Sequence, residues 1–325
     1  MSHILLILDG LTDPSGSPGC LSSLAALRLA GTVNTTPPGH DPESLPCILT
    51  LLDVPVPAVP CRGYLDAVGE GLAPEADDLC LRLSWYALDA EGRLDHPVPA
   101  PAVSDLPPSL QLHPIGDYRS ILILERRAAL VPRLHTRPPH RGARLPAGAF
   151  RPAGDPLLEQ FFDRHHTATR AAIPWGPAAP VTLPPFPLPA AAVAAASVVK
   201  GLARLLGMEV LFPPGATGDT DTDLAAKTAA ALDAARRRPF VLLHLNGADE
   251  AAHRRDAAGK RAFLAAVNRH VLPPLLACGH SLTVTGDHGT DPATGGHVGT
   301  PQPVWTNLRE GFDAKQCLVF PKYRL

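Results

Sequence analysis

Several protein classes are excluded by what this sequence lacks. Its 29 basic residues are offset by 31 acidic ones, for a formal charge of -2, so there is no electrostatic footprint for nucleic acid. No apolar run approaches the ~20 residues of a membrane span: residues 4–8 (Ile-Leu-Leu-Ile-Leu) stop at Asp9, and residues 190–199 also fall short. No basic leader precedes the first run, so a secretory signal is not expected and the expected setting is cytoplasmic, with no membrane partner. The six cysteines, at 20, 47, 61, 80, 278 and 317, contain no Cys-x-x-Cys spacing, and a chain of 325 residues needs no disulfide framework. They are read as free thiols. The Gly-Ala-Thr-Gly run at 215–218 lacks the Lys-Ser or Lys-Thr of a P-loop, and no internal repeat is found.

Proline is in excess: 38 residues, more than twice what a usage of about 5% would give. Many fall between His96 and Pro189, where few long periodic segments survive. That region is expected to be loop-rich or a small irregular domain, followed by a smoother, alanine-rich stretch.

Chemistry concentrates in residues 239–305. Phe240-Val-Leu-Leu-His-Leu245 leads into Asn-Gly-Ala-Asp-Glu-Ala-Ala-His253, and Ser281-Leu-Thr-Val-Thr285 leads into Gly-Asp-His-Gly289 and then Gly-Gly-His297. Compact apolar runs bounded by Gly and Asp read as buried parallel strands, and ligands of open α/β sheets gather at the carboxyl ends of such strands. Asp249, His253, Asp287, His288 and His297 are therefore expected to project toward one crevice. Carboxylate oxygen with imidazole nitrogen suits Zn²⁺ or Mn²⁺. Each pair has a plainer explanation: Asp249 and His253 share a face of any helix, and Gly-Asp-His-Gly can be a turn. Their repetition after two strands favours a metal site. Residues 4–8 repeat the pattern as a first strand ending in Asp9.

Between 37 and 52 a proline-bounded loop leads into a short helix with Ser44 near its start. Two explanations stay open for that hydroxyl: an N-cap, or a nucleophile placed where helix N–H groups favour a phosphate. A helix is expected over 61–71, strands over 78–86 and 118–124, a helix over 191–208 carrying Lys200, a strand over 209–212 and a helix over 223–238. Arg62, Arg82 and Arg119 are spread over the proline-rich half, where an arginine is most often solvated.

The ordered set Leu-Asp-Gly-Leu at residue 9, the Ser44 block, Arg-Gly-x-Leu-Asp-Ala-Val-Gly, Ser-Val-Val-Lys-Gly-Leu-Ala-Arg-Leu-Leu-Gly-Met, Pro-Gly-Ala-Thr-Gly-Asp-Thr-Asp-Thr, His-x-x-x-x-Asp-Glu-Ala-Ala-His, Gly-Asp-His-Gly-Thr and His-Val-Gly-Thr-Pro-Gln-Pro-Val resembles the archaeal-type, cofactor-independent phosphoglycerate mutases of the alkaline phosphatase superfamily. The resemblance is strong over 191–305 and patchy over 96–189.

It implies an α/β fold with a doubly wound, mostly parallel sheet of alkaline phosphatase type. The metal-binding core would span 1–57 and 188–325, and a smaller α+β cap for the substrate 58–187. Two divalent ions, Mn²⁺ or Zn²⁺ and in some members Mg²⁺, would be the cofactors. Asp249, His253 and His297 would hold one, and Asp9, Ser44, Asp287 and His288 the other. Ser44 would be the nucleophile, forming a phosphoserine, and Arg62, Arg82, Arg119 and Lys200 would face a small phosphorylated metabolite. The sequence departs from the family at Glu43, Leu45 and Ser84, which stand where Gly, Asp and Asn are usual. Interconversion of 2- and 3-phosphoglycerate is the implied reaction. The alternatives are a phosphatase or phosphotransferase for another phosphate monoester, and a non-catalytic binder of metal or phospho-ligand.

Overall fold

The computed structural model describes residues 2–16, 19–59, 61–116, 118–139 and 145–319. By its contacts the chain divides into two units, residues 1–56 with 183–325, and residues 57–182.

The first unit is organised on a seven-stranded sheet whose centre is β1 (His3–Leu8). All six β1 residues are buried, because β10 (Phe240–Leu245) and β11 (Ser281–Thr285) pair parallel on either side of it. A strand flanked by parallel partners and covered on both faces is apolar throughout rather than alternating. β8 (Ala190–Val193) and β9 (Glu209–Leu211) continue the parallel sheet beyond β10; β14 (Gln302–Thr306) and β2 (Arg28–Val33) extend the other side antiparallel.

Helices α4 (Ser197–Leu205), α5 (Leu224–Arg237), α6 (Gly247–His253), α7 (Ala257–His270) and α8 (Leu272–Ala277) lie between these strands in sequence, and α1 (Ser44–Leu51) follows β2. Asp223 and Asp256 cap α5 and α7, accepting from Ala226 N and Gly259 N. Each such cap contributes about 1 kcal/mol. Leu6, Leu8, Val241, Leu243, Phe263, Leu264 and Val284 join in the core of this unit. The chain leaves β10 on one side of β1 and returns as β11 on the other, so the sheet has its switch point at β1, where α/β folds bind ligands.

The helix expected over 191–208 begins only at Ser197, because residues 190–193 form β8, paired with Phe240–Leu243 of β10. Alanine's helix propensity, worth tenths of a kcal/mol per residue, yields to nonlocal pairing and complete burial. Ser44 is the first helical residue of α1, with Glu43 at the N-cap position and no side-chain capping bond, so the N-cap explanation of the hydroxyl is set aside.

The second unit is more regular than its proline content suggests. β3 (Leu79–Leu88) pairs antiparallel with β6 (Arg119–Leu124), β4 (Leu94–Pro97) and β7 (Arg170–Ala178), and β5 (Leu110–Gly116) pairs with β6. Helices α2 (Arg62–Gly69) and α3 (Pro156–Arg164) pack against this sheet. Its core includes Leu81, Trp85, Leu122, Leu158 and Phe161. All six cysteines are free, and among the described residues no helix is long and apolar enough to cross a membrane.

Candidate functional site

Register brings the ends of three strands to one edge of the first unit's sheet. Leu8 lies opposite Leu245 and Ile7 opposite Thr285, so the residues that follow each strand emerge together. Asp9 is followed by Gly10 at φ +68°, where a Cβ would fall 2.7 Å from the Asp249 Cα. Only glycine accepts both that backbone and that proximity, which lets α6 approach the end of β1. Asp249 and His253, four apart on α6, face the same way, with His253 Nε2 3.1 Å from Asp249 Oδ2.

After β11, Gly286 makes another close approach; a Cβ there would lie 2.8 Å from the Leu11 Cβ. Asp287 and His288 follow. The chain then forms a small hairpin, β12 (Gly289–Asp291) with β13 (Gly296–Val298), which places His297 opposite Thr290.

The seven donors expected from the sequence thus form one group. Ser44 Oγ is 3.2 Å from His288 Nε2. His288 Nε2 is also 3.4 Å from Asp9 Oδ1 and 3.5 Å from Asp287 Oδ2. His297 Nε2 is 3.1 Å from His253 Nε2 and 3.6 Å from Asp249 Oδ1. Among the described residues three sets could each hold a metal ion by the proximity of their donor atoms: Asp249, His253 and His297; Asp9, Asp249 and His288; and Asp9, His244 and Asp287. The first is the set implied by the resemblance. In the second and third, Asp9, Asp287 and His288 share their space with Asp249 and His244.

Backbone and hydroxyl groups orient the donors. His253 Nδ1 is 2.8 Å from Gly295 O, the Thr290 hydroxyl donates to Asp249 Oδ1, and the Asp287 carboxylate accepts from the His288 amide at 2.9 Å. An imidazole fixed through one nitrogen presents the other to a metal. Lys260, buried on α7, donates to Thr12 O at 2.8 Å and Thr290 O at 2.7 Å, tying the loop after β1 to the hairpin.

Electrostatics favour a cation here. Burial raises the Asp9 carboxyl well above its ordinary range, and the neighbouring Asp287 and Asp249 charges add to the rise. Asp287 is raised by burial and by Asp249, against the pull of His288. Burial would raise Asp249 too, but the imidazoles of His253 and His297 hold it well below the usual carboxylate range. His253, despite burial, is lifted to about 9 by Asp249. Burial pushes His244 down to about 3, with the Lys227 charge acting in the same direction.

Asp9 Oδ1, Asp287 Oδ2 and both ring nitrogens of His244 are buried without hydrogen-bond partners. An unsatisfied buried polar atom costs about 1–3 kcal/mol, so a fold that keeps several together is built for something that binds them. Mutually repelling carboxylates, imidazoles and a hydroxyl, converging with spare lone pairs, fit divalent metal ions.

Three of the four proposed substrate residues, Arg62, Arg82 and Arg119, belong to the second unit. In the second unit Asp66 on α2 receives Arg62 Nε at 3.0 Å and Arg82 Nη1 at 3.1 Å. The Trp175 ring lies under both guanidinium groups, at 5.4 Å and 6.0 Å. Burial lowers the Arg82 pKa; Asp66 opposes this, while the Arg119 and Arg62 charges reinforce it. The structure therefore brings Arg62 and Arg82 together on one aspartate, with the Arg119 charge near enough to act on Arg82. Lys200 is buried on α4 in the first unit, its Nζ 4.8 Å from the Phe212 ring centroid.

Sequence reasoning passed over Thr290 and Lys260, and gave no role to His244, quoted only within the family motif, or to Glu43, named only as a departure, whose Oε2 is 3.8 Å from His297 Nδ1. His244 had a signal: it is the one polar residue in an otherwise apolar, fully buried strand.

Comparison with known proteins bears on the family and the fold. The chain is 29% identical to the 2,3-bisphosphoglycerate-independent phosphoglycerate mutase of Methanopyrus kandleri, over 92% of this chain and 83% of that protein. It is 27% identical to mutase 1 of that type from Archaeoglobus fulgidus, over 94% and 88%. Among solved structures, a protein of Pyrococcus horikoshii superposes with a TM-score of 0.66 at 22% identity, over 94% of this chain and 87% of that one. The cofactor-independent phosphoglycerate mutase of Thermoplasma acidophilum gives 0.52 at 18%, over 98% and 94%. These two confirm the fold. The sequence pattern of the metalloenzyme superfamily matches residues 18–311, and the chain belongs to that superfamily.

Proposed function

We propose that this protein is a metal-dependent phosphoglycerate mutase that moves a phosphoryl group between the 2- and 3-hydroxyls of glycerate through a phosphoserine on Ser44. The observation that carries the proposal is the position of that hydroxyl. It starts α1 without serving as a cap and lies 3.2 Å from His288 Nε2, among carboxylates and imidazoles suited to divalent ions. The similarity to the Methanopyrus kandleri mutase over most of both chains supports the choice of substrate.

Asp249, His253 and His297 would hold one ion, and Asp9, Ser44, Asp287 and His288 the other. Imidazole donors favour Mn²⁺ or Zn²⁺ over Mg²⁺. Two such ions supply positive charge that lowers the pKa of the serine hydroxyl and stabilises the phosphoryl oxygens. In the first half-reaction Ser44 Oγ gives up its proton and bonds to phosphorus, while the ester P–O bond breaks and the departing hydroxyl takes up a proton. In the second half the other hydroxyl of the same glycerate attacks the phosphoserine, releasing Ser44 and conserving the phosphoryl group. Arg62, Arg82, Arg119 and Lys200 are the proposed contacts for the phosphate and carboxylate, guanidinium forks matching both anions. The proposed setting is cytoplasmic glycolysis.

The test is to load purified protein with Mn²⁺ or Zn²⁺ and follow 2- and 3-phosphoglycerate beside a panel of phosphate monoesters. Interconversion without release of inorganic phosphate is expected. Release of phosphate would replace the mutase with a phosphomonoesterase, and no turnover of any ester would leave a binding protein.

A further inference from the structure

His244 has no part in the ligand sets proposed above, although it lies against them. It sits on β10 in register with Ile7 of β1, one residue before the strand ends, and is fully buried. Its Nε2 is 3.3 Å from Asp9 Oδ2, and neither ring nitrogen has a hydrogen-bond partner. The other Asp9 oxygen, Oδ1, faces His288 Nε2 at 3.4 Å, and that same nitrogen is 3.2 Å from Ser44 Oγ. One carboxylate therefore spans two imidazoles, with Oδ1 on the side of the serine and Oδ2 on the side of His244.

A neutral imidazole has one N–H donor, and a ligating carboxylate that is hydrogen-bonded through its second oxygen is held in a single orientation. A leucine at position 244 would continue the Phe-Val-Leu-Leu run without polar cost, yet the chain keeps an imidazole there, against the price of burying it.

We propose that His244 is a positioning residue whose otherwise unpartnered Nε2–H, 3.3 Å from Asp9 Oδ2, closes a hydrogen bond to that oxygen in the metal-loaded site, so that Oδ1 points at the divalent ion shared with Asp287, His288 and Ser44. This rests on the metal reading of the Asp9 cluster and adds to it a hydrogen-bonding layer beneath the ligands. The aspartate would be a one-oxygen ligand. Its outer oxygen would belong to the protein.

The test compares native protein, His244→Leu and His244→Gln, each stripped of metal and titrated calorimetrically with Mn²⁺. Native protein should bind two ions. His244→Leu should weaken one of them by roughly 10–100-fold and leave the other unchanged. His244→Gln, which keeps an N–H donor at a comparable reach, should recover most of that loss. Equal affinities in native protein and His244→Leu would overturn the proposal.

Should the leucine variant fail to fold, ¹⁵N NMR of the native Zn²⁺ protein decides the matter. A proton on His244 Nε2 is expected, and a metal-coordinated Nε2 would make His244 a ligand instead, overturning the positioning role. Absence of any Mn²⁺ binding by native protein would defeat the metal reading itself, a result distinct from failure of the His244 role.

Discussion

Two charged clusters in this molecule follow opposite rules. In the first unit Asp9, Asp249 and Asp287 converge, and buried oxygen and nitrogen atoms lack hydrogen-bond partners. In the second, Arg62 and Arg82 share Asp66 and stack over Trp175, with Arg119 close enough to depress the Arg82 pKa. In the first cluster burial and the Asp249 charge disfavour ionisation of Asp9 and Asp287, while the imidazoles of His253 and His297 keep Asp249 ionised. The arginines of the second have a carboxylate supplied by the protein, and that aspartate aligns the cations rather than cancelling them all. In the proposed function the first cluster takes a cation and the second presents cationic forks to an anion.

The sharpest way to break this comparison is Ser44→Ala. If the first cluster is the reacting centre, mutase turnover should fall by at least about a thousandfold, while the fold persists and the ion proposed for Asp249, His253 and His297 stays bound. Retained turnover would move the chemistry away from the cluster. Removing metal comes next. Saturating Mn²⁺ at a hundred times its dissociation constant should stabilise the protein by about 2.7 kcal/mol for each ion bound, read as a rise in Tm that chelator reverses.

Two carboxylates contribute to the pH dependence of chelated protein with a definite sign. Asp9 and Asp287 have raised pKa values in the folded state, so at these two groups the folded protein holds more protons than the unfolded chain above the ordinary carboxylate pKa near 3.8, while His3, His244 and His297, lowered by burial, act in the opposite sense. The contribution of Asp9 and Asp287 is full below that value and is lost as pH rises through the folded values. Asp287→Asn should flatten this decline in the Tm of chelated protein while losing metal affinity. A decline as steep as in native protein would place the repulsion elsewhere.

The first cluster was far more legible in the sequence than the second. Buried parallel strands appear as unbroken apolar runs, so β1, β10 and β11 could be bounded and the donors after them collected. β8 escaped because Ala-Ala-Ala-Val has no local mark of a strand; its pairing with β10, some fifty residues away, decides its conformation. His244 escaped because it was counted with the strand that carries it. β7 escaped because it contains Pro174 and Gly176, yet it pairs on one side only, with β3, where an edge strand tolerates proline. Without β7 there was no Trp175, and without Trp175 the three arginines looked like scattered surface charge.

Smaller effects probe the second cluster. Arg82 is nearly buried and Asp66 fully so, and Arg82→Ala leaves that carboxylate with only the Arg62 contact. A loss of about 3 kcal/mol in unfolding free energy is expected, measured by denaturant titration. Arg62, about a quarter exposed, should cost under about 1 kcal/mol when truncated. Equal losses would mean that Arg82 is not the structural partner and Arg62 not the more available fork.

The least of these effects concerns what holds the aromatic platform. Trp175 Nε1 donates to Ser84 Oγ at 3.1 Å in the buried interior of this unit, next to the point where Arg82 pairs with Trp175 across the sheet. Trp175→Phe removes the donor and Ser84→Ala the acceptor, and each should cost about 1 kcal/mol. The double variant has neither an orphaned N–H nor an orphaned hydroxyl, so it should cost less than the two losses added together. Strict additivity would mean that the bond does not fix the ring.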